Sequence, residues 1–223
     1  MSPRFRLLPA ATIAIVGAVA LAGCKTKGEL VVDESVGVTA VRGACPAIGI
    51  PDYTGDITLF RGTGEKTAAN IDLVATMTNV KSQCNDGGEG GAKVFVSSSF
   101  DVLARRTDTA GARQVQIPYF VSVLRGGSAV VSKRVGTVTL TFADGQERAQ
   151  ATAQGTAYID RAEATLSPEI RERITRKRKA GEADAAVDPL TEPDVKAAVQ
   201  RASFEVLLGF QLDQAQLAYN ATR

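Results

Sequence analysis

The chain contains no histidine and no tryptophan, and aromatic residues make up 5% of it. Without histidine it lacks the usual general base near neutral pH and the commonest zinc ligand. A Ser-His-Asp triad is therefore excluded. A serine–lysine dyad remains conceivable, but no spacing singles out such a pair, and Ser97 to Ser99 read as a polar run. So few aromatics argue against the stacking platforms on which sugar and base recognition commonly rely. An excess of one charge is lacking too, with 26 Lys+Arg against 24 Asp+Glu. That balance gives no reason to expect nucleic acid as a partner. Cysteine is sparse, at three residues, and none forms a Cys-x-x-Cys pair. No catalytic residue and no metal ligand is assigned.

What is present begins at the N-terminus. Arg4 and Arg6 precede an apolar run from Ala10 to Ala20, and the small residues Ala22 and Gly23 lead into Cys24. These are the three parts of a secretory signal. The run is shorter than the roughly 20 residues that span a bilayer. Leu21-Ala22-Gly23-Cys24 resembles the lipobox of bacterial lipoproteins. The resemblance covers about the first 25 residues, and the remainder resembles no recognised family. It implies cleavage before Cys24 by signal peptidase II and a diacylglyceryl group on the Cys24 thiol. Acyl chains hold a protein to a membrane through about 0.8 kcal/mol per buried methylene, so several chains anchor firmly. The residue after the cysteine is Lys25 and not Asp, which favours the outer membrane in Gram-negative lipoproteins. The expected address is the cell envelope, with the domain facing the periplasm and no cofactor beyond the lipid.

Removing residues 1–23 would leave 200 residues (223 − 23). It would also remove Arg4 and Arg6, leaving 24 cations (26 − 2) against 24 anions and no net charge. With Cys24 given to lipid, Cys45 and Cys84 remain as a pair in an oxidising compartment, which predicts a structural disulfide. Closing a loop of about 40 residues contributes about 4 kcal/mol in the chain-entropy model.

Residues 25–35 are charged and read as part of a tether over residues 24–43. Val36, Val38 and Ala40 suggest a first strand, and Ile57 to Phe60 a short one. Ile71, Leu73, Ala75 and Met77 share one parity, the period of a half-buried strand. The parity switches at Val80, which predicts a bulge or strand end near Asn79. Further alternation runs through Val94 to Ala104, Val115 to Val123, and Val135 to Phe142, with a return strand over residues 147–160. Asp144-Gly145 reads as a tight turn. Pro118 cannot donate to a ladder and is expected at an edge or a bulge. Seven or eight short strands predict a mainly β fold, an antiparallel β-sandwich over residues 44–165 with immunoglobulin-like architecture. The tryptophan of antibody domains is absent, so the architecture and not that family is expected, and a small β-barrel is the alternative.

Residues 166–223 predict a C-terminal α-helical segment. Ser167-Pro168-Glu169 starts a helix expected to run to about Lys179. A second is expected from Thr191 or Glu192, with Val195, Val199, Ala202, Val206 and Phe210 on one face, and Leu212 to Tyr219 continuing.

Three features are candidate sites. Arg171, Arg173, Arg176, Lys177, Arg178 and Lys179 form a basic run that could grip an anionic surface, although the acidic residues from Glu182 to Asp194 lie ready to neutralise it. The stretch from Gly62 to Thr67 superficially resembles a phosphate loop but has the wrong spacing and reads as a turn. Asn85, Asp86 and Glu89 offer oxygens in a glycine-rich loop, without the spacing of a known calcium site. The expected function is a non-enzymatic envelope lipoprotein with a protein partner. The alternative is a binding module for an envelope polymer, lipid or small ligand.

Overall fold

Alternation along the strands decides which side chains meet. A computed structural model describes residues 43–62, 66–88, 90–176 and 187–222. The expected strand at Val36 to Ala40 and the signal region lie outside the described residues. Among the described residues there are eight strands: β1 (Ala47–Gly49), β2 (Asp56–Phe60), β3 (Ile71–Asn85), β4 (Lys93–Arg106), β5 (Arg113–Arg125), β6 (Ala129–Phe142), β7 (Arg148–Asp160) and β8 (Phe204–Phe210). Three α-helices are found among the described residues: α1 (Pro168–Thr175) and α2 (Pro193–Ala202) between β7 and β8, and α3 (Gln214–Thr222) after β8.

The strands form two four-stranded sheets, in the orders β1-β8-β5-β6 and β2-β3-β4-β7. All pairings are antiparallel except β1 with β8. Strands β4 and β7 lie side by side in one sheet, β5 and β8 in the other. The chain crosses between sheets from β4 to β5 and from β7 to β8. The same connections link strands B, C, E and F of immunoglobulin-like sandwiches.

Each strand sends one parity inward. Val94, Val96, Phe100 and Val102 of β4 are buried against Ile117, Tyr119 and Val123 of β5 and Leu140 of β6. Phe100 and Tyr119 meet edge to face at 5.0 Å. The Tyr119 hydroxyl donates to the Gln154 carbonyl at 2.7 Å, tying one sheet to the other. Burial raises the pKa of its phenol above the ordinary value. The ring needs space: a Cβ on Gly136 would lie 2.5 Å from Tyr119 Cζ.

The expected irregularity near Asn79 is present. Thr78 pairs with Asp101 and Lys81 with Ser99, so two residues of β3 oppose Phe100 alone. Asn79 takes a φ of 52°, which asparagine tolerates better than most residues. Its side-chain amide donates to Asp101 at 2.7 Å.

Two expectations are corrected. Pro118 lies neither on an edge strand nor at a bulge: it sits within β5, opposite Thr137 of β6. Its carbonyl accepts from Gln211 N at 2.9 Å, just beyond the last residue of β8. The missing donor therefore faces the point where its neighbouring strand gives out. The second correction concerns residues 204–210, expected to be helical. They form β8, which pairs with β1 on one side and β5 on the other. The helical stripe ends with α2, and Phe204, Val206, Leu208 and Phe210 are buried as one face of a strand. The segment after residue 166 thus supplies a central strand of the sandwich.

The last helix packs on the same body. Asp213 and Gln216 cap α3 reciprocally, each side chain bonding the other's backbone N–H at 2.9 and 2.7 Å. Tyr219 meets Phe60 edge to face at 5.0 Å. The Asn220 amide donates to the carbonyls of Tyr53 and Asp56 at 2.7 Å each.

Candidate functional site

Cys45 and Cys84 form the expected disulfide, across a sequence separation of 39. Cys45 lies two residues before the start of β1, and Cys84 lies near the end of β3 in the opposite sheet. The bond fastens β1, which is held by only three residue pairs to β8. Cys24 lies outside the described residues.

The basic run begins on α1. Ser167 Oγ accepts from Ile170 N at 3.4 Å, and Glu169 sits in the first turn. Hydrogen bonds there hold the Glu169 carboxyl below its usual pKa. Ile174 points inward and is buried. Arg173 bridges to α2, bonding Asp194 Oδ2 at 2.5 Å and the Glu192 carboxylate. Those bonds raise the guanidinium pKa and lower that of Asp194. Arg173, although 39% exposed, therefore clamps two helices together and has its charge paired. Arg171 reaches its own Leu166 carbonyl at 3.5 Å. Arg176 closes the helix, and Lys177, Arg178 and Lys179 lie outside the described residues.

A shallow cleft beside β2 and α3 is lined by Thr58, Phe60, Lys66, Asp72, Asp213 and Gln216. Its charged groups already have partners. Asp72 accepts two bonds from Arg113, at 2.7 and 2.6 Å, and these hold its carboxyl below the usual range. Lys66 donates to the Ala215 carbonyl at 2.7 Å, and Asp213 caps α3. Asp72 is thus held ionised and offers no proton for acid catalysis. Residues 63–65 of the phosphate-loop-like stretch lie outside the described residues.

In the glycine-rich loop, Asn85 Oδ1 accepts from Gly87 N at 2.9 Å, and Asp86 Oδ1 from Gly88 N at 3.1 Å. Both oxygens brace the turn; Glu89 lies outside the described residues. Among the described residues no group of three potential ligands is placed to hold a metal ion.

The most conspicuous surface is one that the sequence pattern did not reveal. Strand β6 begins at Ala129, six residues before the expected start at Val135. It is an edge strand. Its first seven residues are all exposed, including Val130 at 63%, Val131 at 50% and Val135 at 59%. No alternation is visible there because neither face is buried. Lys133 Nζ sits 5.0 Å over the Phe120 ring, and Arg134 Cζ lies 5.8 Å over that of Tyr158, itself 52% exposed. The available clue was compositional: from Arg113 to Ala143 the chain has four cations and no carboxylate.

No protein-family model matches the chain, no curated protein matches it, and no solved structure matches it.

Proposed function

We propose that the protein is a non-enzymatic lipoprotein, anchored through Cys24 and acting as a structural, assembly or interaction component of the bacterial cell envelope. The observation that carries the address is the run Leu21-Ala22-Gly23-Cys24 behind a short apolar segment. The exposed Cys45–Cys84 disulfide supports an oxidising compartment. An interaction role is supported by the exposed valines and cations of β6, which a sandwich does not need for its own packing.

The alternative is a binding module for an anionic envelope polymer or lipid, using the basic run. The pairing of Arg173 with Glu192 and Asp194 weighs against it, because it withdraws one cation from the run.

Fatty-acid labelling in cells tests the anchor: label on the protein that is lost in Cys24→Ser supports it, and an unlabelled wild-type protein refutes it. Crosslinking in the same cells tests the role. A reproducible envelope protein partner, lost in Cys24→Ser, is the expected result. Recovery of polymer or lipid alone would favour the alternative.

A further inference from the structure

The open edge of β6 has a definite backbone polarity. The Pro118 carbonyl accepts from Gln211 N, so Pro118 turns its backbone groups to the β8 side of β5. Alternation then turns Ile117, Tyr119 and Val121 towards β6, where they pair with Val138, Gly136 and Arg134. The intervening residues Lys133, Val135, Thr137 and Thr139 must aim N–H and C=O away from β5. Among the described residues nothing bonds these outward groups. A long edge with exposed apolar residues is the kind of template that another chain can extend.

The side chains say what would fit. Arg113 and Arg125, the other cations between residues 113 and 143, are paired with Asp72 and Glu163. Lys133 and Arg134 have no carboxylate partner among the described residues. Being adjacent on a strand, they point to opposite faces of the sheet. A cross-strand neighbour would place two consecutive side chains against them, one on each face. Opposite charges across strands stabilise pairing, and like charges destabilise it. A second copy is a poor occupant for that reason: antiparallel self-pairing about Lys133 sets that cation against its own copy, and pairing about Ser132 gathers Lys133 and Arg134 of both copies along one seam to which residues 113–143 bring no carboxylate.

We infer that the β6 edge takes an extended segment of a partner protein as an added strand, one carrying a pair of adjacent carboxylates flanked by β-branched residues. The inference rests on the reading of the protein as an interaction component and specifies how it would interact. The two carboxylates neutralise Lys133 and Arg134, and the flanking residues cover Val131 and Val135.

The test uses the full-length protein in detergent micelles and a synthetic peptide, an Asp-Glu pair flanked by Val-Thr-Val on each side. A Lys-Lys peptide is the control. The acidic peptide is expected to slow amide exchange at Lys133, Val135 and Thr137, and to bind about tenfold or more tightly than the control. The double charge reversal Lys133→Glu with Arg134→Glu is expected to invert that preference. Val135→Pro removes one outward N–H without touching the β5 ladder, and is expected to abolish binding while Val138 stays protected. If Val135→Pro instead loses protection at Val138, the charge-reversal pair decides the matter alone. Equal binding of the two peptides overturns the inference, as does protection elsewhere. No binding at all would mean that the two cations only deter aggregation. Binding that charge reversal destroys but Val135→Pro leaves intact would also overturn strand addition, leaving an electrostatic patch open to any polyanion. A partner crosslinked in cells, with no peptide on β6, would overturn this site and leave the envelope proposal standing.

Discussion

Arg106 should be one of the most costly residues in the protein to replace. It is 1% exposed, yet no carboxylate is among its hydrogen-bond partners. Its Nε donates to the Gln146 carbonyl at 2.7 Å and its Nη1 to Gly111 at 2.9 Å. Nη2 reaches both Thr109 and Ala143 at 2.8 Å. The guanidinium also lies over the Phe142 ring, 5.1 Å from its centroid. One side chain thus joins the β4–β5 loop to the β6–β7 turn. Four bonds from a charged donor, at about 1.5 kcal/mol each on the low side, give a gross value of about 6 kcal/mol. Rehydration of loop carbonyls and apolar replacement offset part of it, so Arg106→Leu should cost about 3–5 kcal/mol. For a domain of this size that lowers Tm by roughly 10 °C. Urea unfolding with an unchanged m-value would measure it. Arg106→Lys separates charge from geometry. Lysine keeps the charge but cannot present a planar fork to four carbonyls, so it should recover less than half of the loss. A cost below about 1 kcal/mol for Leu, or full recovery by Lys, would refute the argument.

Reducing the Cys45–Cys84 bond should lower unfolding stability by up to about 4 kcal/mol, with β1 amides losing exchange protection first. Unchanged protection at Ala47 to Gly49 would show that β1 holds without it. The Asp72–Arg113 bond sets an acid limb. Because the folded pKa of Asp72 is depressed, its contribution is full above the unfolded value of about 3.9 and is lost as pH falls through the folded value. Asp72→Asn should therefore flatten stability against pH below about 4, and an unaltered acid limb would disprove the assignment. Gly136→Ala should destabilise by about 1–3 kcal/mol, since its Cβ would lie within 3 Å of three Tyr119 atoms. Tyr119→Phe, which loses one hydrogen bond, should cost about 1 kcal/mol, and fluorescence-monitored denaturation checks both.

The sandwich was legible because its faces are unequal. Residues 94, 96, 100, 102 and 104 alternate cleanly since the other face of β4 is wet. Arg106 continues that inward parity, and an arginine on a core register is the clue by which its burial could have been read. Strand β8 was misread because Val206 and Phe210 are four apart, a spacing that suits both a helix face and alternate strand positions. The deciding signals were the alternation of Phe204, Val206, Leu208 and Phe210 and the short length of the run. The clamp of Arg173 on Glu192 and Asp194 was foreshadowed only as general neutralisation, because tertiary packing chooses among several nearby carboxylates. The early half of β6 left no periodic trace, as both of its faces are exposed.

The four sheet edges are handled differently, and the contrast gives β6 its meaning. Strand β1 is three residues long and begins two residues after a disulfide-bonded cysteine, so it offers little template. The β2 edge region is overlaid by α3 through Tyr219 and Asn220. On β7 the outward positions Gln150, Thr152 and Gln154 are polar, and Asp160 at its end pairs with Lys93. Short strands, covering helices and polar rims are the ordinary means of keeping an edge from pairing. On β6, Val130, Val131 and Val135 remain uncovered, and Lys133 and Arg134 have no carboxylate partner among the described residues. If deterrence were the only requirement, polar residues like those of β7 would suffice in place of Val130, Val131 and Val135. Retaining apolar side chains beside unneutralised charge makes physical sense when both are to be covered together, by one acidic strand.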